Sequence, residues 1–237
     1  MKNIRLITIT IPVVFFLFLL IADRPFPDFL PNLTRGELGL VENLQVIFLL
    51  AAFVVASSIF FQFKVLSNWI KIWIITGMLA TLYVFLEETS YGQHYLRWDT
   101  PDYWQDINDQ KETNFHNTSS WFDQKPRLLL ELGIIVGGII VPLLCRFKPI
   151  LFVIQEGSFK QILPDRSLFV IAILAVLPRT YERILTLIDV DNMYLFIRTS
   201  EVQELYFYFF ILLYFIFLRK ILLTGFSNSN ANILISG

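Results

Sequence analysis

The chain has 237 residues, of which 55% are hydrophobic and 16% charged, with a formal net charge of −1. A soluble domain carries nearer about a quarter charged residues, so the composition excludes an ordinary water-soluble globule and predicts an all-α, polytopic membrane protein. Near-zero charge argues against a nucleic-acid partner, and a single cysteine, Cys145, rules out an intrachain disulfide or a cysteine zinc cluster.

In chain order, Lys2 and Arg5 flank an apolar run over 4–22. It is longer than the roughly 7–15 residues of a signal-peptide core, and Leu20 occupies a position where cleavage needs a small residue, so the run reads as an uncleaved first span. A turn-rich connector with three prolines follows over 23–31, and Thr34 and Glu37 have capping-box spacing. The second span covers 41–63 and carries Glu42 and Gln45 on one face. After a short basic link over 64–71, the third span covers 69–86 and ends on Glu87-Glu88. The polar loop 87–127 comes next. The fourth span, 128–144, contains Gly133, Gly137 and Gly138, small residues of the kind that permit close helix contact in lipid. Residues 147–166 read as a surface-lying amphipathic piece. The fifth span requires 167–190, because the uninterrupted apolar part is too short to cross a bilayer. This predicts one helix kinked at Pro178, with Arg179 and Glu182 turned into the bundle. A second capping box, Ser200 to Gln203, opens the sixth span at 201–218, and the tail 227–237 reads as disordered. The whole chain, 1–237, forms one integral membrane domain.

Placing both termini inside gathers ten basic residues and two acids on the inner side. The inner loops are short, so their basic density is high, which predicts an N-in, C-in topology. Glu42, the stretch 87–117, Arg179, Glu182, Glu201 and Glu204 then fall at one outer level, where bundled helices would line a single outward-opening pocket.

The stretch 87–117 holds both histidines of the protein, His94 and His116, and seven of its twenty carboxylates. If helical, Asp109, Glu112 and His116 share a face, and carboxylate plus imidazole suits a divalent metal or a general acid–base pair. Glu87 and Glu88 point to different faces, so at most one is expected to look inward. The candidate metal ligands are Glu42, Glu88, Glu112, His116, Glu201 and Glu204. The candidate catalytic groups are Glu88, Glu112, His116 and Arg179, supported by Gln93, Asn114 and Asn117. The competing reading is helix-start electrostatics, which accounts well for Glu37 and Glu201 and less well for Glu42, Glu182 and Glu204, which lie deeper along their helices. There is no Walker sequence, no G-x-S-x-G and no H-E-x-x-H.

Val41-Glu42, the run Glu87-Glu88-Thr89-Ser90-Tyr91-Gly92-Gln93, Thr100-Pro101, and the pattern of Asn108, Gln110, Glu112, Asn114, His116 and Asn117 form a set. Together they resemble a family of small bacterial multi-pass membrane proteins with E-E-x-S-[WY]-G-Q and E-x-N-x-H-N motifs. That family carries a basic residue where this chain has His94, which leaves His116 the stronger imidazole candidate. The resemblance implies a bacterial cytoplasmic (inner) membrane protein in contact with membrane lipid, and it implies no activity.

Two functions follow from these residues. One is a non-enzymatic ligand-binding, transporter-like or accessory role for the polar pocket. The other is a metal-dependent membrane hydrolase or transferase acting on a lipid or lipid-linked substrate at the outer leaflet.

Overall fold

A computed structural model describes residues 6–23, 39–63, 66–147, 161–190, 195–196 and 198–235, without the side chains of 120, 123, 147 and 225–235. Among the described residues the regular structure is helical, with no strand. A π-helical turn, Leu6–Thr10, leads into α1 (Ile11–Asp23); α2 is Leu40–Gln62 and α3 is Asn68–Glu88. The polar loop contains two short helices, α4 (Gln93–Leu96) and α5 (Asp102–Ile107). Next, α6 (Ser120–Ile134) runs through a π-helical stretch, Ile135–Ile140, into α7 (Val141–Phe147). The last two are α8 (Phe169–Leu187) and α9 (Thr199–Ile235).

Four segments are long and apolar enough to cross a membrane: Leu40–Gln62, Asn68–Glu88, Gln124–Arg146 and Thr199–Thr224. Leu6–Ala22 is apolar but shorter. This is the make-up of a membrane protein.

The core sits around α9. Val202, Leu205, Tyr206, Phe207 and Tyr208 are all buried, and these positions point to every side of the helix. A helix apolar all round belongs in the middle of a bundle, and α9 packs closely against both α2 and α8. Tyr206 donates its hydroxyl to the Pro12 carbonyl at 2.7 Å, and Phe16 stacks edge-on against Phe196 with ring centres 5.2 Å apart. On α2, Gln45 bonds Glu201 near one end, and Gln62 accepts from Arg219 near the other. On α3, Glu88 meets Tyr208 while Trp73 meets Tyr214, so α3 runs opposite to α9. Likewise Glu131 meets Arg183 while Gly138 faces Ala172, so α8 runs opposite to α6. Successive long segments therefore alternate in direction. The C-terminal end of α3 and the N-terminal ends of α2, α6 and α9 come to one end of the bundle.

Several expectations need correction. Most of the tail 227–237, expected to be disordered, is helical: α9 continues to Ile235. Ser200 lies inside the first turn of α9 rather than capping it. Pro178 lies inside α8 as expected, but Arg179 and Glu182 are only half-buried and pair with each other at 2.5 Å. Gly138 makes the close helix contact foreseen for it, and Gly137 approaches Pro164, but Gly133 has open space where a Cβ would be. Gly77 is the unforeseen close contact, against the Phe215 ring. The capping box at Thr34 and Glu37, most of the connector 23–31 and the bulk of the amphipathic piece 147–166 lie outside the described residues.

Candidate functional site: a carboxylate-lined cavity at one end of the bundle

The loop that builds the site turns back sharply after α3. Ser90 (φ 47°), Tyr91 (φ 56°) and Gly92 (φ 100°) follow one another in the left-handed region. Only the glycine adopts this without steric cost. Ser90 is held there by its side chain: its Oγ donates to Glu112 Oε2 at 2.9 Å and accepts from Asn114 Nδ2 at 2.9 Å.

Residues 108–115 are not helical, so Asp109, Glu112 and His116 do not share a helix face. A side-chain scaffold carries them instead. Asn108 Oδ1 accepts from the Gln110 and Glu112 backbone, and its Nδ2 donates to the Asn114 carbonyl at 2.9 Å. Gln93 accepts from the Thr113 N–H at 2.8 Å and donates to Thr100 Oγ1 at 2.6 Å. Such side chain to backbone bonds replace the missing ladder and fix the loop.

The loop is tied to the bundle by Glu87, which is buried. Its Oε2 accepts from the backbone N–H groups of Phe115 and His116 at 2.8 and 2.9 Å, and from His116 Nδ1 at 3.4 Å. Its Oε1 accepts from the Tyr91 hydroxyl at 2.8 Å. Burial and this bond to Glu87 hold the Tyr91 phenol above its ordinary value.

Glu112 is the second anchor and is also buried. His94 Nε2 lies 3.1 Å from its Oε1, and Asn114 Nδ2 donates to its Oε2 at 2.7 Å. Burial pushes this carboxyl upward, but the His94 ring, Ser90 and Asn114 together outweigh burial and hold it below the ordinary carboxylate value. Ser90, His94 and Glu112 do not form a nucleophilic relay. Such a relay places serine and acid on opposite ring nitrogens, whereas here one nitrogen, Nε2, faces both the Ser90 hydroxyl at 2.9 Å and Glu112. Ser90 is also fully buried.

A cavity of about 700 Å³ opens beneath this loop, within the size range of small-ligand sites. Glu42, Glu87, Glu88, Glu112, Glu201 and Glu204 line it, with His94, His116, Arg127, Arg198 and Tyr208. Arg198 bridges Glu42 at 3.1 Å and Glu201 at 2.9 Å, and Arg127 holds Glu204 at 2.5 Å. Glu88 accepts from a neutral donor, the Tyr208 hydroxyl, at 2.7 Å. Six carboxylates thus face two guanidiniums and two imidazoles. With both imidazoles charged, the lining still carries a negative excess.

The structure brings Glu42, Glu88, Glu112, His116, Glu201 and Glu204 to this one cavity, together with Asn117. Gln93 and Asn114 brace the loop above it. Arg179 is not in the lining; it pairs with Glu182 on α8. The guanidiniums of the site are Arg127 and Arg198, which sequence reasoning missed. Each precedes an apolar run on the carboxylate-rich side, and that was the available signal. Glu87 and Glu88 both reach the cavity, because the carboxylates lie in the last turn of α3, where the reversed loop wraps the helix end. His94, set aside on the resemblance, belongs to the lining as well. Among the described residues, no three His, Cys, Asp or Glu side chains are gathered as a set of metal ligands. Comparison of the chain with protein-family models, curated proteins and solved structures yields no match.

Proposed function

We propose that the protein is a six-span bacterial inner-membrane protein, N-in and C-in, whose outward-facing cavity binds a ligand bearing positive charge in a transporter-like or accessory role. The observation that carries this reading is the negative excess of the cavity lining. Carboxylates gathered away from water repel one another and favour a cation among them. Both guanidiniums already rest on carboxylates, so an anionic ligand would have to break those pairs, whereas an ammonium would add donors to a site rich in acceptors. The test is thermal unfolding of the purified full chain with a panel of soluble ammonium compounds and matched anions. Cations at about a hundred times Kd should stabilise by about 2.7 kcal/mol, and Glu88→Gln should weaken the effect. Stabilisation by the anions instead would overturn the reading.

A second reading is a metal-dependent hydrolase or transferase acting on a lipid-linked substrate at the outer leaflet. It is favoured by the placement of both imidazoles in the same cavity as six carboxylates. It requires a divalent ion to displace existing hydrogen bonds, such as that of Tyr208 to Glu88. Stoichiometric metal in the purified protein, lost in Glu112→Ala and His116→Ala, would favour it over the first.

A further inference from the structure

We infer that the ligand is a lipid with an ammonium headgroup, which reaches the cavity sideways from the bilayer between α3 and α6. This rests on the cation-binding reading above and adds the ligand's source and route. The first observation is that the cavity lining is both acidic and apolar. Beside the carboxylates, the lining includes the apolar side chains of Val84, Phe122, Pro126, Leu130 and Phe207. A small hydrated cation gains nothing from an apolar wall, whereas a molecule with a charged head and an apolar stem uses both.

The second observation is the build of α6. Phe122, Pro126, Arg127 and Leu130 line the cavity. Their spacing puts them on one face of the helix. The other face shows Trp121, Leu128, Leu129 and Leu132 at 63, 43, 74 and 49% exposure. In a membrane protein, such a face is turned to lipid. A single helix therefore separates the cavity from acyl chains.

The third observation is that α3 and α6 both line the cavity without being a closely packed pair among the described residues. Tyr83 marks that edge: it lines the cavity and is 39% exposed. Tyr83 and Phe122 offer aromatic faces to a passing ammonium, an attraction of electrostatic origin. Glu88, one turn beyond Val84 on α3, also lines the cavity and accepts from the Tyr208 hydroxyl at 2.7 Å.

The experiment uses the full chain in bilayers of equal parts phosphatidylethanolamine and phosphatidylglycerol, released and weighed with its retained lipids by native mass spectrometry. Phosphatidylethanolamine should be retained in preference to phosphatidylglycerol by about tenfold, the factor that one charged contact provides. Glu88→Gln should abolish most of that preference, and Glu201→Gln reads the same cavity should the first variant fail to fold. Equal retention, or preference for phosphatidylglycerol, overturns the inference. Binding of soluble ethanolamine with no lipid retained overturns the membrane source while leaving the cation-binding reading standing. Binding of neither overturns both.

Discussion

At the residue scale, the site depends on two buried carboxylates that act as hubs rather than on any isolated reactive group. Glu87 gathers two backbone N–H groups and a phenol from three points of the loop. Removing it in Glu87→Ala leaves buried donors unmatched, which costs about 1–3 kcal/mol for such a group. Hydrogen exchange should show faster exchange at Phe115 and His116 than in the wild type, with the core of α9 unchanged. Protection that persists at both amides would refute the hub role. Glu112 gives a pH signature. Its carboxyl titrates lower folded than unfolded, where the ordinary value is about 4.3. Its contribution to stability is therefore fully present above that value and is lost as pH falls through the lower, folded value. A melting-temperature profile should fall on acidification below about pH 4, and Glu112→Gln should flatten that limb. An acid limb unchanged in the variant would show that other groups control it.

At the element scale, the contacts that set helix spacing are specific to individual glycines. A Cβ at Gly138 would lie 2.7 Å from the Ala172 Cβ and 3.0 Å from the Phe210 ring, whereas at Gly133 it would meet nothing within 4 Å. Gly138→Ala should destabilise by about 1–3 kcal/mol, the usual cost of overpacking, while Gly133→Ala should be neutral or slightly stabilising in a helix. Thermal unfolding of the two variants side by side checks the pair, and equal effects would contradict the packing described for α6 and α8. The same contrast explains what was legible in the sequence. Apolar run lengths located the long helices, and polar groups carried into their ends located the cavity through Glu42, Glu88, Glu201 and Glu204. The loop was misread because a helical face for Asp109, Glu112 and His116 assumes local periodicity. Its actual shape is set by the long-range bonds of Glu87 and Gln93 and by left-handed backbone at Ser90 and Tyr91. Arg127 and Arg198 escaped notice for a related reason. Arg198 to Glu201 is a local i,i+3 pair, but Arg127 to Glu204 and Arg198 to Glu42 join segments far apart in the chain, and their choice is decided by helix packing.

At the scale of the whole molecule, charge separates the two ends of the bundle. The cavity end collects Glu42, Glu87, Glu88, Glu112, Glu201 and Glu204. The opposite end holds Arg219, bonded to Gln62 at 3.0 Å, with Trp73 and Tyr214 bonded one to the other close by. Basic residues in short loops favour the cytoplasmic side of a membrane, so the cavity should face outward and the Arg219 end inward. The single native cysteine makes this testable without a large cysteine-free redesign. In a Cys145→Ser background, Asp109→Cys places a thiol on the exposed loop above the cavity, and Thr224→Cys places one at the other end, at an exposed position of α9. A membrane-impermeant maleimide added to spheroplasts should label position 109 at once and position 224 only after permeabilisation. The reverse pattern would overturn the orientation and turn the cavity toward the cytoplasm. Labelling of both from the same side would show that the long helices connecting the two ends do not carry the chain across the bilayer between these positions.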